Sequence, residues 1–284
     1  MEIVMRALRI QDVVRPVIKR VSDESARNAI LSSFEQAGEA LGHVEECFET
    51  LTSREWPQLA LNRFFNAWRN PSVGSASVAG LTVRILAEAE EAQGEAREAL
   101  FLSAAYVARI TGEDLGLFSD THGALYARMA EALCDTDEWQ RAQYGIPTAS
   151  DYQTWVRTQR RLGPDIVEAL MLSIIAEIYN YGEFTVIAPK FQKWLQSMGR
   201  DKARRNHELE FVTAHVGNTE SGHFLYAVRA LEQYCRGTGV EFDVARFAEC
   251  CTSYLENVGA SYATITSALL ATAETAPVRE MAVA

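Results

Sequence analysis

Apolar positions recur at three- and four-residue steps along nearly the whole chain, the spacing that lines one face of an α-helix. From Ser22 onward, Ile30, Leu31, Phe34, Leu41, Val44, Phe48 and Leu51 keep this rhythm. Ser22 or Asp23 offers a short oxygen-bearing side chain to cap the free first-turn amides. Trp56-Pro57 opens a shorter helix through Trp68, which Pro71 closes. Val78, Leu81, Ile85, Leu100, Ala104 and Val107 form the stripe of a long helical segment from Ser75 to Ile110. Its charged, Ala-rich middle, EAEEAQGEAREA, reads as a solvated helix face. The break TGEDLGLFSD precedes the helix THGALYARMAEALC, and Gly145 and Pro147 interrupt the chain again. Gly163-Pro164-Asp165 then opens the strongly apolar DIVEALMLSIIAEIYNYGEF, and KFQKWLQSMG ends near Gly199. Residues 203–235 and 243–273 read as the last two helices. Strand-like alternation is nearly absent, no repeat of solenoid period occurs, and no Gly/Ser-rich linker divides the chain. The pattern predicts an all-α fold: one helical domain over residues 1–284, with an N-terminal helix within 1–20 and a frayed tail over 275–284.

Composition narrows the function classes. Acidic residues outnumber basic ones 38 to 27, giving a formal charge of −11, so no basic footprint for nucleic acid exists. The 48% hydrophobic content excludes a disordered chain. No apolar run reaches the ~18 residues of a membrane span, so no membrane partner is expected. The first twenty residues mix basic and apolar positions without the continuous apolar stretch of a secretory signal. The five cysteines show no C-x-x-C spacing, which argues against a disulfide framework or zinc knuckle and for the cytoplasm. No phosphate-cradling glycine loop and no G-x-S-x-G elbow is present. His207-Glu208 begins like H-E-x-x-H, but the second histidine is missing.

What remains is acids and histidines on apolar helix faces. Glu177 follows Ile174 by three residues and Leu170 by seven, which places a carboxylate on a buried stripe. That placement costs several kcal/mol unless the group is paired, protonated or bound to metal. His122 shares a stripe with Leu125, Tyr126, Met129 and Leu133; a hydrogen-bonded core histidine is the bland alternative. Upstream, Glu113 and Asp114 continue the spacing of Tyr106, Val107 and Ile110, or simply end that helix in solvent. Further on come His215, Glu220 and His223. Glu220-Ser-Gly-His223 is an E-x-x-H dyad, which projects both groups to one side. In a regular helix Glu220 lies about 140° from His215 and His223 about 80° from it. That arc is too wide for one compact site, so a π-bulge near Gly217 or Gly222 is expected to draw the three together.

The order acid, histidine, acid, histidine, acid, histidine over three helical segments resembles the heme-oxygenase-like diiron oxidases and oxygenases. EDLGLFSDTHGALYARMAEAL is similar to that family's acidic-Leu-Gly stretch and His-x-x-Leu helix, SIIAEIY to its central helix, and HVGNTESGH to its third ligand helix. The likeness covers about residues 75–240. It implies a heme-oxygenase-like helical bundle holding two ferrous ions (Fe2+), with O2 as co-substrate. The implied ligands are Glu113, His122, Glu177, His215, Glu220 and His223. Asp114 is the alternative to Glu113, and Glu88 is a candidate for an added carboxylate. The third helix departs from the family's His-x-x-x-Asp-x-x-His by one extra residue and by Glu for Asp. The resemblance further implies an amino acid or amine substrate, oxidised by N-oxygenation or by desaturation or C–C cleavage, an external electron donor and a homodimer. Arg109, four residues before Glu113, is a candidate for holding a substrate carboxylate. The competing expectations are a cofactorless or thiaminase-like enzyme on the same fold, and a non-enzymatic helical interaction protein.

Overall fold

The computed structural model describes residues 8–72, 74–117 and 120–275. Among the described residues the regular structure is helical throughout. The order is α1 (Ile10–Ile18), α2 (Glu24–Gln36), α3 (Gly38–Thr52), α4 (Gln58–Ser72), α5 (Ser75–Glu91), α6 (Gly94–Asp114), α7 (His122–Cys134), α8 (Pro147–Leu162), α9 (Ile166–Ser197), α10 (Lys202–Glu208), α11 (Glu210–Ala214), α12 (Asn218–Thr238) and α13 (Val244–Thr275). Two short 3-10 turns lie between α7 and α8. No helix among the described residues is long and apolar enough to cross a membrane. All five cysteines are free thiols.

The long α9 is the axis of the bundle. Asp165 caps it by accepting from the Glu168 amide at 3.0 Å. From Ile166 to Ile187 nearly every side chain is buried, because α1, α3, α8, α12 and α13 all pack on it. Gly182 makes the closest of these approaches feasible. A Cβ there would sit 2.7 Å from both Ile10 and Val14 of α1, a distance real side chains do not tolerate. One end of the core is aromatic: Trp68 stacks on Phe191 with centroids 5.7 Å apart, and Phe48 meets the Trp68 edge at 5.2 Å.

The apolar rhythm located the helices better than their breaks. Asp23 caps α2 as expected, accepting from the Ala26 amide at 2.7 Å, but the run from Ser22 divides at Ala37 into α2 and α3. The segment 75–110 folds back on itself instead of forming one rod. Gly94 adopts φ +57°, a left-handed conformation glycine takes without strain, so the charged stretch straddles a turn between α5 and α6. The residues 203–235 likewise form three helices, not one. In contrast, α6 runs past Ile110 to Asp114, and α8 occupies a region that sequence pattern marked only as interrupted. The N-terminal helix is seen over Ile10–Ile18; residues 1–7 and 276–284, including most of the expected tail, lie outside the described residues.

Candidate metal centre

Four segments bring acids and histidines to one place. α6 ends on Glu113 and Asp114, and α12 packs along α6 and against α9. α7 begins at His122, held there because Thr121 accepts from the Ala124 amide at 3.1 Å. Glu177 projects from the middle of α9. His215 follows α11, Gly217 breaks the chain with φ +93° and ψ −134°, and α12 then carries Glu220 and His223. The expected irregularity in the third segment is therefore a full break beside His215, not a π-bulge. Gly222 sits within α12. Only glycine takes that φ and ψ comfortably.

The side chains meet in the interior. His223 is completely buried and Glu220 is 1% exposed. The Nδ1 of His223 faces Glu220 Oε1 at 3.6 Å and Glu177 Oε2 at 3.7 Å, too long for hydrogen bonds, and this buried nitrogen has no hydrogen-bond partner. Its Nε2 meets Glu113 Oε2 at 2.9 Å. His215 donates Nδ1–H to the Phe211 carbonyl at 2.6 Å and stacks on Phe184. His122 lies 4.2 Å from the His215 ring, centroid to centroid, and its Nδ1 is 3.3 Å from Asp114.

Burial and neighbours split the titration of these groups. Burial lowers His122 to about 4, helped by the nearby His223 charge. Burial and then His122 push His215 well below its ordinary value. Both rings are therefore neutral at pH 7 and keep a lone pair. Burial also disfavours charge on His223, but Glu177, Glu220 and Asp114 outweigh it and push this ring up to about 10. Burial drives the Glu220 carboxyl well above the carboxylate range; His223 opposes this, while Glu177 and Asp114 add to it. The cluster thus holds at least one proton that a bound cation would displace.

Three observations fit these residues to metal. Glu177, Glu220 and His223 each offer a ligand atom, all within 4.8 Å of one another. Donors sharing an ion at bonds of about 2.1 Å sit roughly 3.0–3.4 Å apart, so the gaps around His223 Nδ1 need to close only slightly. The tautomer of His215 is set by a backbone carbonyl, which leaves Nε2 for the cavity it lines, as metal-binding imidazoles commonly do. Finally, the acids are in excess in a buried place, where charge needs a counter-ion.

Asp114, His122, Glu177, His215 and Glu220 line a cavity of about 40 Å³, room for a few water-sized groups. Glu113 does not line it; it stands behind His223, and Arg109 Nε lies 3.4 Å from its other oxygen. Arg109 stands outside the cavity, against the Tyr226 ring at 4.9 Å. Glu88 is exposed, accepts from Tyr234 at 2.6 Å and does not line the cavity. The α8 part of the cavity lining carries no signal in the sequence motifs. It includes Gln153, Arg157 and Arg160 of α8. Ala149, Gln153, Val156 and Arg160 recur at helical spacing, a stripe on which a polar pair is out of place.

No family model matches the chain, and no curated protein matches it. Among solved structures, a TenA homolog from Pseudomonas syringae pv. tomato superposes with a TM-score of 0.60, covering 87% of this chain and 93% of that one at 11% identity. Likeness at that identity is likeness of fold, and the chain has a TenA-like, all-α helical architecture.

Proposed function

We propose that the chain is a non-heme diiron enzyme that uses O2 to oxidise a small amino acid or amine. The observation that carries this reading is the convergence of two imidazoles, His122 and His215, and three carboxylates on one cavity, with the buried His223 Nδ1 unsatisfied between two of those acids. Asp114, His122, Glu177, His215, Glu220 and His223 would hold two ferrous ions, with Asp114 favoured over Glu113 because it lines the cavity. When bound, such ions supply electrons and open positions for O2.

The chain's own groups set the conditions. His122 and His215 stay neutral through burial and present lone pairs without first losing a proton. Phe211 fixes which nitrogen of His215 is free. His223 must give up its Nδ1 proton before that atom can bind metal, and Glu113 steadies the ring from Nε2. The small cavity limits water around the reacting groups. N-oxygenation is the first reading of the reaction, with desaturation or C–C cleavage as alternatives, and an external donor would return the centre to its ferrous state. A cofactorless, thiaminase-like activity is the competing reading on this fold.

The test is iron-dependent O2 consumption, measured with an oxygen electrode over a panel of amino acids and amines. The wild type is expected to consume O2 only when iron-loaded, and Glu177→Ala and His223→Ala are expected to lose both iron and activity. Normal iron binding by both variants would refute the assignment.

A further inference from the structure

The same cavity also carries a different chemistry, supplied by α8. Arg160 is 6% exposed. One guanidinium nitrogen donates to the Leu172 carbonyl at 2.9 Å, while its buried Nε has no hydrogen-bond partner. No carboxylate among the described residues forms an ion pair with it. Gln153 is 5% exposed; its buried amide faces the Tyr254 hydroxyl, but its nitrogen has no partner at full hydrogen-bond geometry. An unpaired cation beside an orphaned donor is costly in a protein interior, and both deficits close if an anion enters.

The surrounding geometry favours an anion from outside. The backbone beneath Arg160 is fixed, because Arg84 donates to the Gln159 and Arg160 carbonyls at 2.9 and 2.7 Å. An outer cleft of about 340 Å³ adjoins the cavity, sharing Gly74 and Arg157 with it, and carries Arg161 as well. Arg161 therefore sets a positive charge at this cleft on a chain whose net charge is −11, which favours the approach of anions.

We propose that Arg160 and Gln153 form a carboxylate anchor, so that the substrate of this centre is an α-amino acid and not a simple amine. The carboxylate would enter against Arg160 and Gln153 of α8 with the amino group toward Asp114, Glu177 and Glu220, and the side chain, too large for the cavity of about 40 Å³, would lie in the outer cleft of about 340 Å³. A planar guanidinium and an amide both match carboxylate geometry. The proposal rests on the reading of the metal centre above for the orientation of the amine.

Isothermal titration decides it. Anaerobic, iron-loaded protein is titrated with each proteinogenic amino acid and with the amine left when its carboxylate is removed. At least one amino acid is expected to bind, at least tenfold tighter than its matched amine. Arg160→Met should remove tenfold or more of that affinity without changing iron content, and Arg160→Lys should recover part of it. Gln153→Glu, which sets a like charge at the anchor, should weaken binding at least tenfold, and it serves as the deciding variant if Arg160→Met does not fold by circular dichroism. The proposal is overturned if the amines bind as tightly, if the variants bind unchanged, or if no amino acid binds. If the protein takes up no iron, the metal reading falls, and the same titration on metal-free protein decides the anchor separately.

Discussion

Replacing Glu220 by Gln should move stability in opposite directions with and without iron. In the metal-free protein Glu220 is buried, and burial drives its carboxyl well above the ordinary range despite His223, with Glu177 and Asp114 adding to the rise. A carboxyl raised in the folded state costs nothing below its unfolded value. It destabilises increasingly as pH climbs toward the folded value, and the penalty then stays constant. Gln keeps the shape, removes the titration and can donate to Glu177 as the protonated acid does. We therefore expect Glu220→Gln to stabilise the metal-free protein by about 1–2 kcal/mol at pH 7.5, or roughly 2–8 °C in Tm. The gain should shrink toward zero by about pH 4, near the unfolded value of a glutamate. Ferrous iron reverses the order. A ligand present at a thousandfold its Kd stabilises by about 4 kcal/mol, and the variant should forgo most of this. Anaerobic differential scanning fluorimetry with and without Fe2+ reads both effects. A variant that is less stable without iron and gains as much from iron as the wild type would refute the reasoning.

The remaining predictions concern neighbouring parts of the centre. Glu113→Gln keeps an acceptor for His223 Nε2 but loses its charge, so iron affinity should fall about 10–100-fold at unchanged stoichiometry; a stoichiometry reduced by one ion would instead make Glu113 a direct ligand. Gly217→Ala should cost about 1–3 kcal/mol through its φ of +93° alone, and should weaken iron binding by shifting His215, as thermal melts and an iron titration can show. Gly222→Ala, whose Cβ would meet only Tyr226 at 3.9 Å, should be neutral or stabilising by about 0.5–1 kcal/mol. With His223 held up to about 10 and the Glu220 carboxyl raised in the metal-free state, binding must expel at least one proton, so iron affinity should rise about tenfold or more per pH unit between pH 6 and 8. A flat competition titration against a chelator would count against that coupling.

Glu177 was legible because a single charge interrupts an apolar stripe, and the structure finds it buried on α9. His122 was legible for the same reason at the start of α7. The choice between Glu113 and Asp114 was not, since periodicity cannot say how the last turn of α6 faces a helix more than a hundred residues later. The third segment defeated the helical wheel because its regular arc ends at Gly217, whose conformation depends on tertiary packing. The turn at Gly94 was hidden by the continuous helical composition on both sides of it. Arg160 and Gln153 were overlooked because α8 is mostly polar, so its buried stripe of Ala149, Gln153, Val156 and Arg160 did not stand out. The fold class needed only the three- and four-residue rhythm; the site needed the contacts between helices.

Anaerobic titration of the purified protein with ferrous ammonium sulfate, followed by admission of O2, bears most directly on the central claim. The account predicts about two ions bound per chain and a transient near-visible absorbance that decays faster when a substrate amino acid is present. Less than one tightly bound ion per chain, or the same uptake by Glu177→Ala and His223→Ala, would contradict it.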